Sequence, residues 1–382
     1  YRVTVDYPAD PITGKRKQRT ETYRTKKEAD AREREWLTDI ERGTAIDGTK
    51  MTTGEYLTYW LATYAKHNVR LSTYTAYASY AHSHIIPALG AIMLRKLQPV
   101  HLQDFYQAKL IGGRMDGKAG GLSARSVKYL HSIIREALQH AFEQNLVARN
   151  VADAVKPPRA VRPPVKVWNG EEARTFLTAS HSAPYAPLWL VLLTTGMRRG
   201  EALGLRWQDV DLTKGLIRVR QTLVDVNGSV SFGEPKTKSG RRTIELDSKC
   251  LAALTEHHDR QTFIRRGWSD ERRGLDLVFT TAEGNWIHPR NVDREYYALL
   301  ARIERQRVAE RPDDAPLRRI TLHGLRHTCA TLLLLHNINP KVVSERLGHA
   351  SISITLDTYS HVLPSMQKDA ADAIGAALFG VA

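Results

Sequence analysis

Polar and apolar residues alternate one for one near the start of the chain, in "YRVTVDY" and "RKQRTETYRT" around the turn-forming "PADPITGK". This period of two predicts a small sheet of short strands. The rhythm then changes. In "TKKEADAREREWLTDIERG" the apolar residues Ala29, Trp36, Leu37 and Ile40 recur at helical spacing behind a capping-box pair, Thr25 and Glu28, which predicts one helix covering the sheet. From Met51 to about Asn150 four stretches keep the helical period: "TTGEYLTYWLATYA", "STYTAYASYAHSHI", "QPVHLQDFYQAKL" and "SARSVKYLHSIIREALQHAFEQN". Each opens on a Ser, Thr or Pro signal, and together they predict a four-helix domain. Pro157, Pro158, Pro163 and Pro164 then make a stiff, extended linker. Beyond Trp168 helices mix with one strand region, "GLIRVRQTLVDVNGSVSFGEPKTKSGRRTIEL", which reads as strand, Asn227-Gly228 hairpin, strand, a second turn with Lys238 at its tip, and a further strand. Near the end Met366, Ala370, Ala373, Ile374, Ala377 and Leu378 form an apolar stripe on a helix starting near Pro364, a stripe that has to be buried.

The pattern describes a multidomain chain, mainly α with small β-sheets: residues 1–47, a helical domain at 48–155, a linker at 156–167, and a mixed α/β domain at 168–382. A length of 382 residues with 42% hydrophobic content fills two or three such cores. A formal charge of +15 makes a polyanion, nucleic acid first, the leading partner. Its placement sharpens this. Lys15, Arg16, Lys17 and Arg19 crowd onto the small sheet, while Lys156, Arg159, Arg162 and Lys166 alternate with the linker prolines, a spacing suited to a row of phosphates. Such runs ordinarily mean a solvated face, but neither a sheet this small nor a linker needs them for folding. The two cysteines, Cys250 and Cys329, have no CxxC or Cys/His spacing; neither a disulfide framework nor a zinc site is encoded, and a reducing cytoplasm fits. The longest apolar run, "CATLLLL", falls far short of the ~20 residues that span a bilayer, so no membrane partner is expected.

Candidate chemistry sits in the last domain. In "LLTTGMRRGEALGLRWQDV" Arg198 follows a helix-ending glycine and precedes an amphipathic stretch, with Glu201 one turn on as an ion-pair partner. In "ITLHGLRHTCATLLLL" His323 and Arg326 are three apart and share a helical face, while Leu325 and the leucines at 332–335 anchor the other. In "NPKVVSERLGHAS" a helix from Pro340 to Gly348 displays His349 at its end. In "HASISITLDTYSHV" Tyr359 stands among small hydroxyl and β-branched residues. Singly, each has a bland reading: a snorkelling arginine, a loop lysine, a core tyrosine.

In their order, "TGMR", "KTKSG", "HGLRH", "LGH" and "TYSHV" resemble the tyrosine recombinase, or phage integrase, family over about residues 168–382. The earlier segments are similar to its helical core-binding domain and, at 1–47, to the small arm-type DNA-binding domain of many element-encoded integrases. The resemblance implies that Arg198 and Arg326 hold a scissile phosphate and that Tyr359 attacks it. His323 and His349 then donate to the phosphate and manage the nucleophile's proton, and Lys238 protonates the leaving 5′ oxygen. Lys236 is the alternative to Lys238, and the position of Gly240 favours Lys238. Arg199 and His327, beside catalytic positions, read as packing or nonspecific DNA contacts. Paired guanidiniums suit charge building on two phosphate oxygens, and imidazoles suit proton handling near neutrality. A 3′-phosphotyrosine conserves the phosphodiester's bond energy, so neither ATP nor a metal cofactor is expected. The implied function is integration and excision of a phage or conjugative element at double-stranded DNA attachment sites by a tetramer on DNA, with an accessory DNA-bending or excision factor. Rival readings are a chromosome-dimer-resolving recombinase, a type IB topoisomerase-like enzyme, and a silent DNA-binding regulator of the same fold.

Overall fold

The opening alternation does form strands: β1 (Arg2–Asp6) pairs antiparallel with β2 (Gln18–Thr22), Val3 opposite Glu21 and Val5 opposite Arg19. The computed structural model describes residues 1–6, 18–41, 51–161, 164–235, 237–359 and 366–380, leaving aside the side chains of 19, 35, 39–41, 238 and 366–370. Val3 and Val5, both on one face, are buried with Ala29 and Trp36 of helix α1 (Lys26–Glu41). Thr25 and Glu28 close the capping box, each backbone N–H donating to the other's side chain at 3.3 Å. Leu37 departs from the predicted stripe and is exposed. Eight residues at 3.6 per turn carry it about 80° round from Ala29, whereas Trp36 returns to the same face.

The four helical stretches form four rods. Helix α2 (Thr53–Trp60) runs through a π segment (Leu61–Ala65) into α3 (Lys66–Asn68), and α4 (Leu71–Tyr80) through another (Ala81–Ile85) into α5 (Ile86–Leu89). The others are α6 (Pro99–Ile111) and α7 (Ala124–Glu143). Thr52 and Ser123 cap α2 and α7, and Pro99 opens α6, as their sequence signals predict; α4 instead starts behind Arg70, which makes no side-chain cap. Trp60, Ile85, Leu102, Leu130 and Ile133 fill the centre, each worth about 1.5–3 kcal/mol of burial. Tyr56 lies inside too, its hydroxyl donating to Ala137 O at 2.8 Å. These elements and the small sheet belong to one compact unit, Tyr1–Arg162; the rest, Pro163–Ala382, forms a second. The linker residues at 155–161 and 164–169 have no regular secondary structure.

In the second unit α8 (Gly170–Ser180), α9 (Ala186–Thr195) and α10 (Arg199–Leu203) pack Phe176, Leu188, Trp189 and Leu203 into the main core. Five short strands follow: β3 (Val210–Asp211), β4 (Leu216–Val219), β5 (Thr222–Val226), β6 (Ser229–Gly233) and β7 (Arg242–Glu245). Asn227 and Gly228, at φ 53° and 84°, make the predicted hairpin between β5 and β6. The second turn is not a hairpin tip. Strand β7 leaves β6 and pairs with β4, in a sheet ordered β3-β4-β7, and Lys238–Gly240 form a 3₁₀ turn between the two sheets. The reason lies in burial: Ile217 and Ile244 pair directly and are both fully inside, while β6 has no buried position.

Helices α11 (Ser248–Ile264), α12 (Asp270–Gly274), α13 (Pro289–Glu310), α14 (Leu322–Leu335), α15 (Pro340–Leu347) and α16 (Ile352–Tyr359) complete the domain body, followed by α17 (Met366–Phe379). Among the described residues no helix is long and apolar enough to cross a membrane. The α17 stripe is not buried within the chain: Ile374 and Leu378 are 57% and 67% exposed, with Ala373 and Ala377 exposed beside them. The side chains of Met366 and Ala370 lie outside the described residues.

Candidate active site

Three local devices bring distant residues together. Helix α9 ends on Gly196 in the left-handed region, φ 66°, where glycine turns without strain, and a Cβ there would press on Leu347 Cδ2 of α15 at 2.5 Å. The turn leaves Arg198 as the N-cap of α10, where its backbone N–H donates to Glu201 Oε2 at 2.9 Å and its Nη1 to Glu201 Oε1 at 2.7 Å. Its Nη2 reaches Gly348 O at 3.2 Å. Thr321 caps α14 by accepting from Gly324 N–H, which sets the phase of the helix carrying His323, Arg326 and His327. Gly348 ends α15 at φ 69° and turns the chain towards His349 and α16.

Arg326 is the most confined of these cations. It is 3% exposed, its Nη1 donates to Gly196 O at 2.7 Å, and its Nη2 is buried with no partner. Burial, then neighbouring Arg198, pull its pKa down to about 9, which leaves it charged at neutral pH. Glu201, also buried, is paired with Arg198 and with Arg242, the latter at 2.9 Å. Burial pushes its carboxyl up, but Arg242 and Arg198 outweigh that and hold it below the usual range. Two guanidiniums thus share one carboxylate with a third, Arg326, nearby, and the cluster is short of negative charge beside an unsatisfied donor.

The imidazoles are neutral. Burial foremost, with His327 and Arg326 adding to it, pushes His323 down to about 4; burial, then Arg326 and Arg198, do the same to His349. His327 is lowered by burial and by Arg326. Tyr359 is 1% exposed in a small cluster with Ala330, Leu334, Val343 and Leu347, and burial raises its phenol to about 12 against the pull of Arg326. The group touching that phenol is His327, whose Nδ1 lies 2.6 Å from the hydroxyl oxygen. Its other ring neighbour is His323, edge-on at 4.8 Å between centroids. His349 instead meets Thr355, Nδ1 to Oγ1 at 2.7 Å.

The structure therefore gathers Arg198, Glu201, His323, Arg326, His349 and Tyr359, and brings His327 into the same group through its contact with the phenol. One signal was available: His327 lies one turn after His323 and next to Arg326 on α14. Arg199 pairs with Asp293 of α13, in keeping with a packing role. The backbone of Lys238 is in the 3₁₀ turn, and its side chain lies outside the described residues. Lys236, Lys15, Arg16, Lys17 and Arg162 also lie outside them, as does the side chain of Arg19; Lys156, Arg159 and Lys166 are exposed. Leu335, counted among the anchoring leucines, is exposed, and Leu334 is the buried one.

Three stretches match known family models: residues 166–366 the phage integrase family, 52–110 the phage integrase N-terminal SAM-like domain, and 1–40 an Arm DNA-binding domain. A tyrosine recombinase XerC-like protein of Caldanaerobacter subterraneus subsp. tengcongensis is 28% identical, the match covering 98% of this chain and 95% of that protein. The ICEBs1 integrase of Bacillus subtilis is 25% identical over 97% of this chain and 96% of its own length. Among solved structures, the Tn1549 transposon integrase in complex with a circular intermediate DNA superposes with a TM-score of 0.67 at 20% identity, covering 85% of this chain and 99% of that one. A lambda integrase tetramer bound to a Holliday junction gives 0.56 at 16% identity, covering 92% and 90%.

Proposed function

The chain belongs to the phage integrase family, and from that premise we propose that it integrates and excises a mobile DNA element, cutting and rejoining both duplexes through Tyr359. The observation that carries the chemistry is the pairing of a buried phenol with an electron-poor, anion-seeking pocket: Tyr359 on His327, beside Arg326 with its Nη2 unpartnered. Arg198 and Arg326 grip the two non-bridging oxygens of the scissile phosphate, where charge builds during in-line attack. The Tyr359 oxygen forms a bond to phosphorus and the bond to the 5′ oxygen breaks; the phenol proton passes to an imidazole and Lys238 supplies a proton to the departing oxygen. His323 and His349 serve the phosphate side of the site, and Glu201 keeps Arg198 aligned.

Neutral His327 is the acceptor already in contact with the nucleophile. His327→Ala is expected to slow single-turnover cleavage by about 100-fold, the lower end of what a lost acid–base group costs. The remaining activity should also lose its fall towards acid pH, because protonating His327 removes the lone pair that receives the phenol proton. Cleavage at the wild-type rate with the wild-type pH profile would return His327 to a packing role.

Residues 1–47 bind arm sites away from the exchange point, 48–155 bind the core site, 168–382 carry out the chemistry, and the basic linker at 156–167 contacts phosphates. The protein acts in the cytoplasm, as a tetramer on two attachment sites, with help from an accessory DNA-bending or excision factor. Helix α17, with its exposed Ile374 and Leu378, docks on an adjacent protomer. Deleting residues 365–382 should leave single-site binding within about twofold while weakening synapsis tenfold or more, since burying two such side chains contributes roughly 3 kcal/mol. Gel-shift assays with one and two sites measure both; unchanged synapsis contradicts docking in trans.

A two-site exchange assay run beside a supercoil-relaxation assay tests the function as a whole. Recombinant product from paired sites is expected; relaxation without exchange would favour the topoisomerase-like reading.

A further inference from the structure

Arg242, the first residue of β7, is more than the second partner of Glu201: its guanidinium holds three parts of the site at once. It is buried, its side chain 6% exposed. Nη2 donates to Glu201 Oε2 at 2.9 Å, Nη1 to Gly240 O at 3.1 Å and Nε to Arg346 O at 2.6 Å. Glu201 is the partner of Arg198; Gly240 closes the turn that begins at Lys238; Arg346 precedes the Gly348 turn that leads into His349. The two turns also meet directly. A Cβ on Gly348 would lie 2.8 Å from Ser239 O and 3.0 Å from Arg242 Nη1, so nothing larger than glycine fits between them. Arg198 Nη2 closes the circuit on Gly348 O.

From this geometry we infer that Arg242 is a positioning residue for the leaving-group side of the reaction: it locks the Lys238 turn in register with the phosphate-binding Arg198–Glu201 pair. The inference rests on the reading of Lys238 as proton donor. Lysine at 242 has no planar fork and reaches at most one or two of the three acceptors. Moreover, the turn joins two separate sheets and belongs to neither ladder, so no strand pairing sets its register. Without Arg242 the phosphate is still held by Arg326 and the nucleophile by His327, so the loss falls on delivery of the proton to the 5′ oxygen.

The leaving group itself distinguishes positioning from mere support of the fold. In a substrate with sulfur in place of the bridging 5′ oxygen, the P–S bond breaks and sulfur departs as a thiolate, since thiols ionise near pH 8.5 and need no donated proton. On the oxygen substrate Arg242→Gln should cleave about 100-fold more slowly than wild type, within the range that general acids contribute. On the sulfur substrate the deficit should shrink to about tenfold or less. Lys238→Ala run in parallel must show the same relief. If it shows none, the proton-donor reading fails and takes this inference with it; if Lys238→Ala is relieved but Arg242→Gln is not, only the role of Arg242 is overturned. Should Arg242→Gln not fold, Gly348→Ala disturbs the same contact from the other side with no loss of charge. Relief by sulfur in Gly348→Ala supports the inference, and equal deficits on both substrates reject it.

Discussion

Tyr359→Phe is expected to abolish the covalent protein–DNA adduct while leaving DNA affinity and the fold nearly intact. The ring stays in its cluster with Ala330, Leu334, Val343 and Leu347, so no cavity forms. The cost to stability is the orphaned His327 Nδ1, about 1–3 kcal/mol for a buried group left without its partner. Chemistry loses far more, because phenylalanine has no oxygen to bond to phosphorus, and Thr355, a hydroxyl on the same helix, is engaged by His349. Enzymes stripped of their nucleophile lose on the order of a millionfold in rate, which places the adduct below detection on denaturing gels. An adduct of normal yield in Tyr359→Phe would remove this residue from the chemistry.

Arg326→Lys should be the next most damaging change, with Arg198→Lys close behind. Arg326 spends Nη1 on Gly196 O and presents Nη2 to the site; a lysine has a single nitrogen for both tasks. The environment that pulls Arg326 down to about 9 would also push a lysine down from its lower starting value, so part of the positive charge would be lost as well. Arg198 is half-exposed and keeps its alignment through Glu201, so lysine there retains charge but loses the fork. Losing one donor to a developing oxyanion costs about 10²–10³ in rate, and Arg326→Lys is expected at or beyond the upper end. Single-turnover cleavage of a nicked suicide substrate measures both. Rates within threefold of wild type for the pair would mean that the phosphate binds elsewhere.

Much of this was legible in the sequence because the signals are local. Thr52, Pro99 and Ser123 start helices where caps predict, since a cap satisfies donors within one turn of itself. Asn227-Gly228 makes its hairpin because both residues tolerate positive φ. Arg198, Arg326 and Tyr359, separated by up to 161 positions in the chain, converge as their motif contexts imply. What escaped depends on partners remote in sequence. The Lys238 turn reads locally as a hairpin tip, but β7 pairs with β4, a choice set by burial of Ile217 against Ile244. The contact of His327 with Tyr359 escapes a sequence reading because nothing within α14 shows that α16 brings the phenol to its Nδ1. Arg242 carries no local signal, since its partner Glu201 lies 41 positions away in the chain and only the folded chain brings the two together.

The most direct measurement is to trap the protein on a nicked attachment-site duplex, digest the complex and identify the amino acid and DNA end that are joined. The account predicts one peptide, containing Tyr359, linked through its phenolic oxygen to a 3′-phosphate, with a free 5′-hydroxyl on the other DNA end. A link through any other residue, or to a 5′-phosphate, would contradict it.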